Sequence, residues 1–479
     1  MRFILRWALS IYFVEIKASG QERIRATGPL IFAANHPNSI MDTVILGSQT
    51  KRQIQYMAKS GLFKNPLVRA WFNHFGVIPV YRAQDPGDTN QNESSFRAAY
   101  QVLEEGGCIG IFPEGENSPD RVVQKLKTGT ARIALEAEAK NSFGLGIQLL
   151  PVGLNFEDRD RFLSSVLIKF GKPIDVRDFK AVYKEEPQAA IRELTEELEK
   201  GIKDLATHIE DERNHQLVVD ILDIYGSRIT ADLYEQAELE LDLFDRSGRQ
   251  DALEGGDSKK KPESNLEERF EKEQFIADAI EFVQRRDPGM VARVRMDVRR
   301  YYDHLSQLKL RHELVEKGFE MKGRRRDAVK LTAYGALLGP VAIYGLLNNI
   351  MPSLLVKAAV AKQPDEAMIA FAGFFTGFFA FPLFYFLQAW GLWWLTGQSW
   401  VVAVLYVLTL PPAGLFFLRW WQKILAYRER ILVRTLFRTE KNLLNTLEQE
   451  RLDIIETFEA LQAQYGGSQR SPVVALESE

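Results

Sequence analysis

The chain has 479 residues, with 61 lysines and arginines against 64 aspartates and glutamates and a formal net charge of −3. At roughly 150 residues per domain this length suggests two or three units rather than one core, and the near balance of charge gives no general reason to expect a nucleic-acid partner. The single cysteine, Cys108, excludes an intramolecular disulfide and a cysteine-rich zinc site and points to a reducing compartment.

Met1 to Val14 combines Arg2 and Arg6 with large apolar residues. The apolar run is interrupted and no small-residue cleavage site follows, which argues against a signal peptide. Residues 1–20 are therefore predicted to form an amphipathic helix that lies on a membrane surface or caps the core. In residues 21–215, β-branched apolar runs occur at Leu30–Ala34, Ile54–Ala58, Val77–Val80, Cys108–Phe112, Leu149–Asn155 and Val166–Phe170. Helical periods at Thr43–Ser48, Pro66–Phe75, Ser94–Glu105 and Thr128–Lys140 intervene. This alternation predicts an α/β layered domain with a mainly parallel sheet and active groups on loops at the strand ends. A long charged helix over Gln188–Glu212 is expected to close it.

Residues 216–330 change character. Gly248–Asn265 is polar and poor in packing residues, as a flexible linker is, and Leu266–Arg326 has the charge and period of a helical hairpin or short coiled coil. Three stretches without charge follow within residues 331–420, at Leu331–Leu347, Ala367–Leu395 and Ser399–Leu418, with Trp393, Trp394, Trp400, Trp420 and Trp421 near their ends. A bilayer core of about 30 Å takes about 20 apolar residues per helix, and interfacial aromatics favour lipid over a buried soluble core. Thr396-Gly397-Gln398-Ser399 reads as a tight turn between the second and third stretches. Basic residues flank both ends of the region, at Lys322 to Arg326 and at Arg419, Lys423, Arg428 and Arg430. The positive-inside rule would place both flanks in the cytoplasm, whereas three full crossings would separate them, so either one segment is re-entrant or the first lies in the interface. Residues 421–465 read as a charged helix and 466–479 as a disordered tail.

Four motifs stand in order in the first domain: Asn35-His36-Pro37-Asn38-Ser39-Ile40-Met41-Asp42, Gly76-Val77-Ile78-Pro79-Val80-Tyr81-Arg82, Phe112-Pro113-Glu114-Gly115 and Leu150-Pro151-Val152-Gly153-Leu154. Over roughly residues 20 to 210 the chain resembles the glycerophospholipid acyltransferases, which esterify glycerol-3-phosphate and lysophosphatidate with fatty acyl thioesters. The resemblance implies an α/β acyltransferase domain followed here by the helical insert and an α-helical membrane domain. It also implies that Glu114 helps hold the glycerol part of the acceptor and that Gly115 allows close backbone approach. The family usually has four residues between histidine and aspartate, whereas five, Pro37 to Met41, stand here. That spacing resembles the branch containing fungal-type glycerol-3-phosphate and dihydroxyacetone-phosphate acyltransferases, and it shifts the expected acceptor toward glycerol-3-phosphate.

The groups themselves support this chemistry. An alcohol is a poor nucleophile toward a thioester at neutral pH, and a neutral imidazole within hydrogen-bond reach can remove its proton, an effect worth roughly 10²- to 10⁴-fold. His36 is the candidate base, and Asp42 would fix its tautomer as the acid of a serine-protease triad does. Ser39-Ile40-Met41-Asp42 alone also fits a helix capping box; the four ordered motifs favour catalysis. Arg82, just past the Val77–Tyr81 run, offers a bidentate fork to phosphate. Many relatives carry a second basic residue after the Glu-Gly of the third motif, where this chain has Glu116-Asn117-Ser118. Asn117 and Ser118 can still bind substrate through hydrogen bonds, and Lys59, Lys125 or Lys127 could replace the charge. Lys127, before a helix start, is the most attractive. Pro151, Val152 and Gly153 are expected to shape the acyl-donor channel, although a plain buried strand fits nearly as well.

His74, His208, His215, His304 and His312 have no short metal-ligand spacing, and no Walker loop or dinucleotide fingerprint occurs. The expected reaction uses no metal or redox cofactor, with acyl-CoA or acyl-carrier protein as cosubstrate. The expected protein is an integral membrane O-acyltransferase with its catalytic domain facing the cytoplasm. A 1-acylglycerol-3-phosphate acyltransferase making phosphatidate is the second enzymatic reading, and an inactive lipid-binding membrane scaffold is the reading from another class.

Overall fold

The computed structural model describes residues 2–64, 69–70, 72–73, 76–80, 92–118, 121–226, 265–307, 312, 325–363, 368–397, 400–439 and 441–466. Arg82, His74, the linker up to 264, most of Pro66–Phe75 and of Lys322–Arg326, Gln398-Ser399 and the tail from 467 lie outside them. The chain divides into two compact units, Met1–Glu212 with Ala358–Thr376, and Arg213–Lys357 with Gly377–Glu479.

The first unit is built on an eight-stranded sheet. Its strands are β1 Glu15–Ser19, β2 Leu30–Ala34, β3 Ile54–Lys59, β4 Ile78–Val80, β5 Cys108–Ile111, β6 Gln148–Phe156, β7 Ser165–Phe170 and β8 Ile174–Asp175. They lie in the order β1-β7-β6-β2-β5-β3-β4, with β8 also on β6. Pairing is parallel for β1 with β7, β2 with β5 and β6, and β3 with β4 and β5. Only β6 with β7 and β8 is antiparallel. Every residue of β2 is buried, as a central strand covered on both faces requires, and that is why it reads as an unbroken apolar run.

Helices α1 Arg2–Tyr12, α2 Ser39–Gln49, α3 Asn92–Glu104, α4 Gly129–Lys140, α5 Lys180–Glu185 and α6 Pro187–Lys203 belong to this unit among the described residues. Proline at the first turn of α6 lacks only a hydrogen bond that no helix makes there. Ala190, Ile191, Leu194, Leu198 and Ile202 form its buried face, the stripe that a period of 3.6 residues produces.

Two boundaries differ from those read in the sequence. Residues 15–19 are not helical but form β1, whose parallel partner is β7; the alternation of Glu15, Lys17 and Ser19 with Ile16 and Ala18 is a strand's period of two. The helix expected to run to Glu212 ends at Lys203 because tertiary hydrogen bonds claim the chain beyond it. The Asn155 side chain donates to Leu205 O at 3.0 Å and accepts from Thr207 N at 2.7 Å, and Ile209 N donates to Arg121 O at 2.8 Å.

The second unit carries α7 His215–Tyr225, then α8 Asn265–Arg286 and α9 Pro288–Gln307. Asn214, just before α7, bridges α8 and α9, donating to Gln284 Oε1 at 2.7 Å and accepting from Arg295 at 2.6 Å. Then come α10 Arg325–Ala361 and α11 Ile369–Thr396, whose residues 358–361 and 369–376 belong to the first unit, and α12 Trp400–Thr439 and α13 Lys441–Gly466. Three stretches, Tyr334–Ala361, Ile369–Leu395 and Trp400–Leu425, are long and apolar enough to cross a membrane. The single helix expected over 421–465 is instead the run-on of α12 followed by α13.

Polar side chains join the apolar helices where the alternative is an unmet group in hydrocarbon. Tyr385 OH donates to Asn349 Oδ1 at 2.6 Å, Tyr406 OH to Asn348 Oδ1 at 2.5 Å, and Gln388 Nε2 to Asn348 O at 2.9 Å. Gly345 lets α10 and α12 approach closely, since a Cβ there would stand 2.1 Å from Ala413 O.

Gly153 performs the same service in the sheet, where an added Cβ would meet Leu205 O at 2.3 Å. Replacing Gly153 with alanine is therefore expected to destabilise the protein by about 1–3 kcal/mol, read as a lowered thermal unfolding midpoint of the purified chain.

Candidate active site

The parallel strands β2, β5 and β6 end on the same edge of the sheet. The loops that leave them, 35–38, 112–118 and 157–164, carry the groups named below. The carboxyl ends of parallel strands are where α/β sheets collect their functional loops.

The β2–α2 turn is anchored first by Asn35. Its side chain continues the ladder beyond Ala34, donating to Leu154 O at 3.1 Å and accepting from Leu154 N at 2.7 Å. His36 follows. Its Nδ1 lies 2.9 Å from Asp42 Oδ2, and the same oxygen accepts the Asn38 backbone N–H at 2.7 Å. Asp42 thus serves the imidazole and the helix start together, but the N-cap whose amide it accepts is Asn38 and not the Ser39 of the expected capping box. Between His36 and Asp42, Ser39 takes a φ of +46°, a left-handed conformation unusual for a serine.

The β5 loop closes on His36 from the other side. Glu114 Oε1 accepts the His36 backbone N–H at 3.0 Å, Ser118 N donates to His36 O at 3.1 Å, and the Phe112 ring stacks on the imidazole with centroids 4.0 Å apart. The His36 side chain is 18% exposed and that of Asp42 is 0% exposed. With Nδ1 engaged by Asp42, Nε2 is the nitrogen left to serve a substrate.

Burial pushes the Asp42 carboxyl above its ordinary value, opposed by the hydrogen bond and charge of His36, the Asn38 N–H and the positive charge of Arg159. Burial also pushes Glu114 up from 4.5 to about 7, against the His36 and Gln124 N–H groups.

The structure brings Gly115 and Lys127 together. Gly115 has a φ of +75°, and a Cβ on it would stand 2.7 Å from Lys127 Nζ, so no other residue fits there without displacing the lysine. Lys127 Nζ lies 3.8 Å from Glu116 Oε1, both half-exposed or more, a pairing that water weakens. Asn117 is half-buried and Ser118 buried. Both hydrogen bonds described for Glu114 run to main-chain amides, of His36 and, at 3.4 Å, of Gln124. In the described geometry it braces the histidine turn.

Pro151, Val152 and Gly153 are buried in β6, where Pro151 and Val152 pair with Ala33 and Ala34 and Gly153 admits Leu205. The sequence reading passed over Asn35, Asn38, Phe112 and Arg159. The first three stood inside the motifs; Arg159 carried no signal, because it meets the turn only through the β6–β7 loop. His208, His304 and His312 have structural partners in Val123 N, Glu450 and Tyr301.

Residues 15–155 match the Acyltransferase family. The chain is similar to glycerol-3-phosphate O-acyltransferase 1 of Saccharomyces cerevisiae, 22% identical over 46% of this chain and 41% of the relative. It is also similar to a 1-acyl-sn-glycerol-3-phosphate acyltransferase of Bacillus subtilis, 28% identical over 41% of this chain and 90% of the relative. Among solved structures it is similar to the 1-acyl-sn-glycerophosphate acyltransferase of Thermotoga maritima, with 23% identity, a TM-score of 0.31, and 42% of this chain and 78% of that chain covered. Its matches span less than half the length of the fungal relatives.

Glu114 makes a pH prediction. Its folded-state value near 7 lies above the ordinary 4.5, so between those values the folded chain holds a proton that the unfolded chain has lost. Stability from this residue is therefore present below about pH 4.5 and declines as pH rises to 7, by on the order of 3 kcal/mol. Glu114→Gln, which keeps an acceptor for the His36 amide and gives up the longer contact to Gln124 N, is expected to flatten the dependence of unfolding temperature on pH over that interval relative to the unmodified protein.

Proposed function

Because residues 15–155 are an acyltransferase-family domain that fits the glycerophospholipid acyltransferase superfamily, we propose that the chain is a membrane-bound O-acyltransferase. It moves a fatty acyl group from acyl-CoA or acyl-carrier protein to glycerol-3-phosphate or dihydroxyacetone phosphate. The observation that carries this reading is the 2.9 Å contact between His36 Nδ1 and the buried Asp42, with the imidazole edge left for an acceptor hydroxyl.

In this mechanism His36 Nε2 removes the hydroxyl proton while the hydroxyl oxygen attacks the thioester carbonyl. The C–O bond forms and a tetrahedral intermediate carries the negative charge on the former carbonyl oxygen. Its collapse breaks the C–S bond, and the departing thiolate takes the proton from the imidazolium. Asp42 holds the ring in the tautomer that leaves Nε2 unprotonated and stabilises the imidazolium between the two steps. No acyl-enzyme is needed. Arg82 and Lys127 supply positive charge to the acceptor phosphate, with Asn117 and Ser118 as hydrogen-bonding neighbours, and Glu114 and Gly115 shape the glycerol side through the turn they brace. The domain works on the cytoplasmic face, where both substrates are made and where basic residues flanking the apolar helices favour their ends.

The acceptor rests on the five-residue spacing and on likeness to yeast glycerol-3-phosphate O-acyltransferases. A 1-acylglycerol-3-phosphate acceptor is the second reading, favoured by the Bacillus relative, of which the match covers 90%.

His36→Ala is expected to lower turnover at least about 10²-fold in a chain that still folds, with a lowered unfolding midpoint because one of the two donors to the buried Asp42 is lost. Near-normal turnover in a radiolabelled acyl-CoA assay would remove His36 as base. Against a panel of glycerol-3-phosphate, dihydroxyacetone phosphate, lysophosphatidate and lysophosphatidylcholine, kcat/KM for one of the first two is expected to exceed that for lysophosphatidate at least about tenfold, or about 1.4 kcal/mol in transition-state binding. A preference for lysophosphatidate would select the second reading and leave the His36 mechanism intact.

A further inference from the structure

We propose that Arg159, in the loop between β6 and β7, is a positioning residue for the His36–Asp42 pair, fixing the turn that carries the pair by its contacts to Pro37 and Asn38. The inference rests on the base assignment above and adds to it a residue outside all four motifs.

The problem that Arg159 answers is set by Asp42. A carboxylate with no exposure prefers its neutral form, and a protonated Asp42 would no longer orient the imidazole as an acceptor from Nδ1–H. Its oxygen Oδ2 takes the hydrogen bonds from His36 and Asn38, while Oδ1 is buried with no hydrogen-bond partner. Two neutral-molecule donors compensate one oxygen only, so the remaining stabilisation has to come from charge. The titratable groups facing Asp42 are His36 in its own turn, Tyr56 from β3, Glu114 from the β5 loop and Arg159. Tyr56 is neutral and an ionised Glu114 repels, so among these neighbours Arg159 supplies the permanent cation.

Arg159 also addresses the turn through both its main chain and its side chain. Its carbonyl accepts Asn38 Nδ2 at 2.8 Å. Its guanidinium reaches Pro37 O at 3.5 Å, the outer limit of a hydrogen bond, and its Nε lies 3.3 Å from Asp160 Oδ2. The side chain is 12% exposed, so its charge is poorly screened by water. Pro37 and Asn38 immediately precede Ser39, the residue with a φ of +46°. The contacts from Arg159 therefore fall directly before the strained residue of the turn.

The loop is firm enough to hold such a position. Glu157 N donates to Ser165 O at 3.0 Å, Asp158 N to Ser164 Oγ at 2.9 Å and Leu163 N to Tyr12 O at 2.8 Å. Arg121 clamps its start by donating to Phe156 O at 3.1 Å and Glu157 O at 2.9 Å.

A positive charge near the pair favours the state with ionised Asp42 and neutral His36 over any state carrying one more proton, whichever of the two holds it. Removing that charge must move the acidic limb of the pH profile upward. The test uses the purified full-length chain in detergent, with palmitoyl-CoA and, as alternative acceptors, glycerol-3-phosphate and oleoyl-lysophosphatidate. For Arg159→Gln the acidic limb of kcat/KM is expected to rise by about 1 pH unit, with kcat at pH 6 reduced about tenfold and the acceptor KM changed less than about twofold. Arg159→Lys, which keeps the charge, should leave the limb within about 0.3 pH unit of the unmodified protein while losing some kcat through the altered turn.

An unmoved limb in Arg159→Gln would overturn the proposal, whether or not kcat falls. If that variant does not fold, a limb displaced by about 1 unit in Arg159→Lys overturns it equally. Failure of the base assignment is seen separately, as turnover retained in His36→Ala.

Discussion

A carboxylate shut away from water is the constraint around which the first unit is organised. Asp42 is fully buried, and a lone charge in that position costs several kcal/mol unless donors or countercharge surround it. His36 and the Asn38 amide meet one oxygen, and this requirement determines where the β2–α2 turn must lie to within a few tenths of an ångström. Once the turn is so placed, the imidazole is held with one nitrogen committed and the other available. The chemistry proposed for it follows from that commitment.

The sheet supplies the precision. β2 runs between β5 and β6 in parallel register, so the three loops that hold the turn leave neighbouring strand ends. Asn35 extends the ladder to β6 by a side chain, Glu114 and Ser118 bind the two sides of the His36 peptide from the β5 loop, and Arg159 reaches Pro37 and Asn38 from the β6–β7 loop. No one of these contacts is strong, since a typical net hydrogen bond contributes about 1 kcal/mol. Their effect lies in agreement of direction. Glu114 shows the cost of such an arrangement: a carboxyl placed to accept amides in the interior has its ionisation displaced, and the protein is less stable at high pH than a neutral acceptor would leave it.

A different solvent shapes the three apolar helices. Asn348, Asn349, Tyr385, Gln388 and Tyr406 sit within mainly apolar stretches, and their hydrogen bonds to one another relieve a burden that would be large for each alone. The same rule, that a buried polar group must find a partner, thus governs Asp42 in the α/β unit and Asn349 among the apolar helices, with water excluded by packing in one case and by chain composition in the other.

The sequence by itself determined the α/β class, the positions of β2, β3, β5, β6 and β7 and the three apolar stretches, because these depend on short-range periodicity that each segment carries alone. The motif order also brought out His36, Asp42, Glu114 and Gly115. Only the tertiary structure decided the end of α6, since Gly201 lies inside its last turn rather than past it and Asn155 captures the chain from across the sheet. Likewise, Glu15–Ser19 is a strand because β7 offers it an edge, and Gly153 is closely packed because Leu205 O lies against it. Arg159 joins the site because the β6–β7 loop folds back over a turn more than a hundred residues earlier in the chain. Contacts of that kind depend on which surfaces meet, and local pattern holds no record of them.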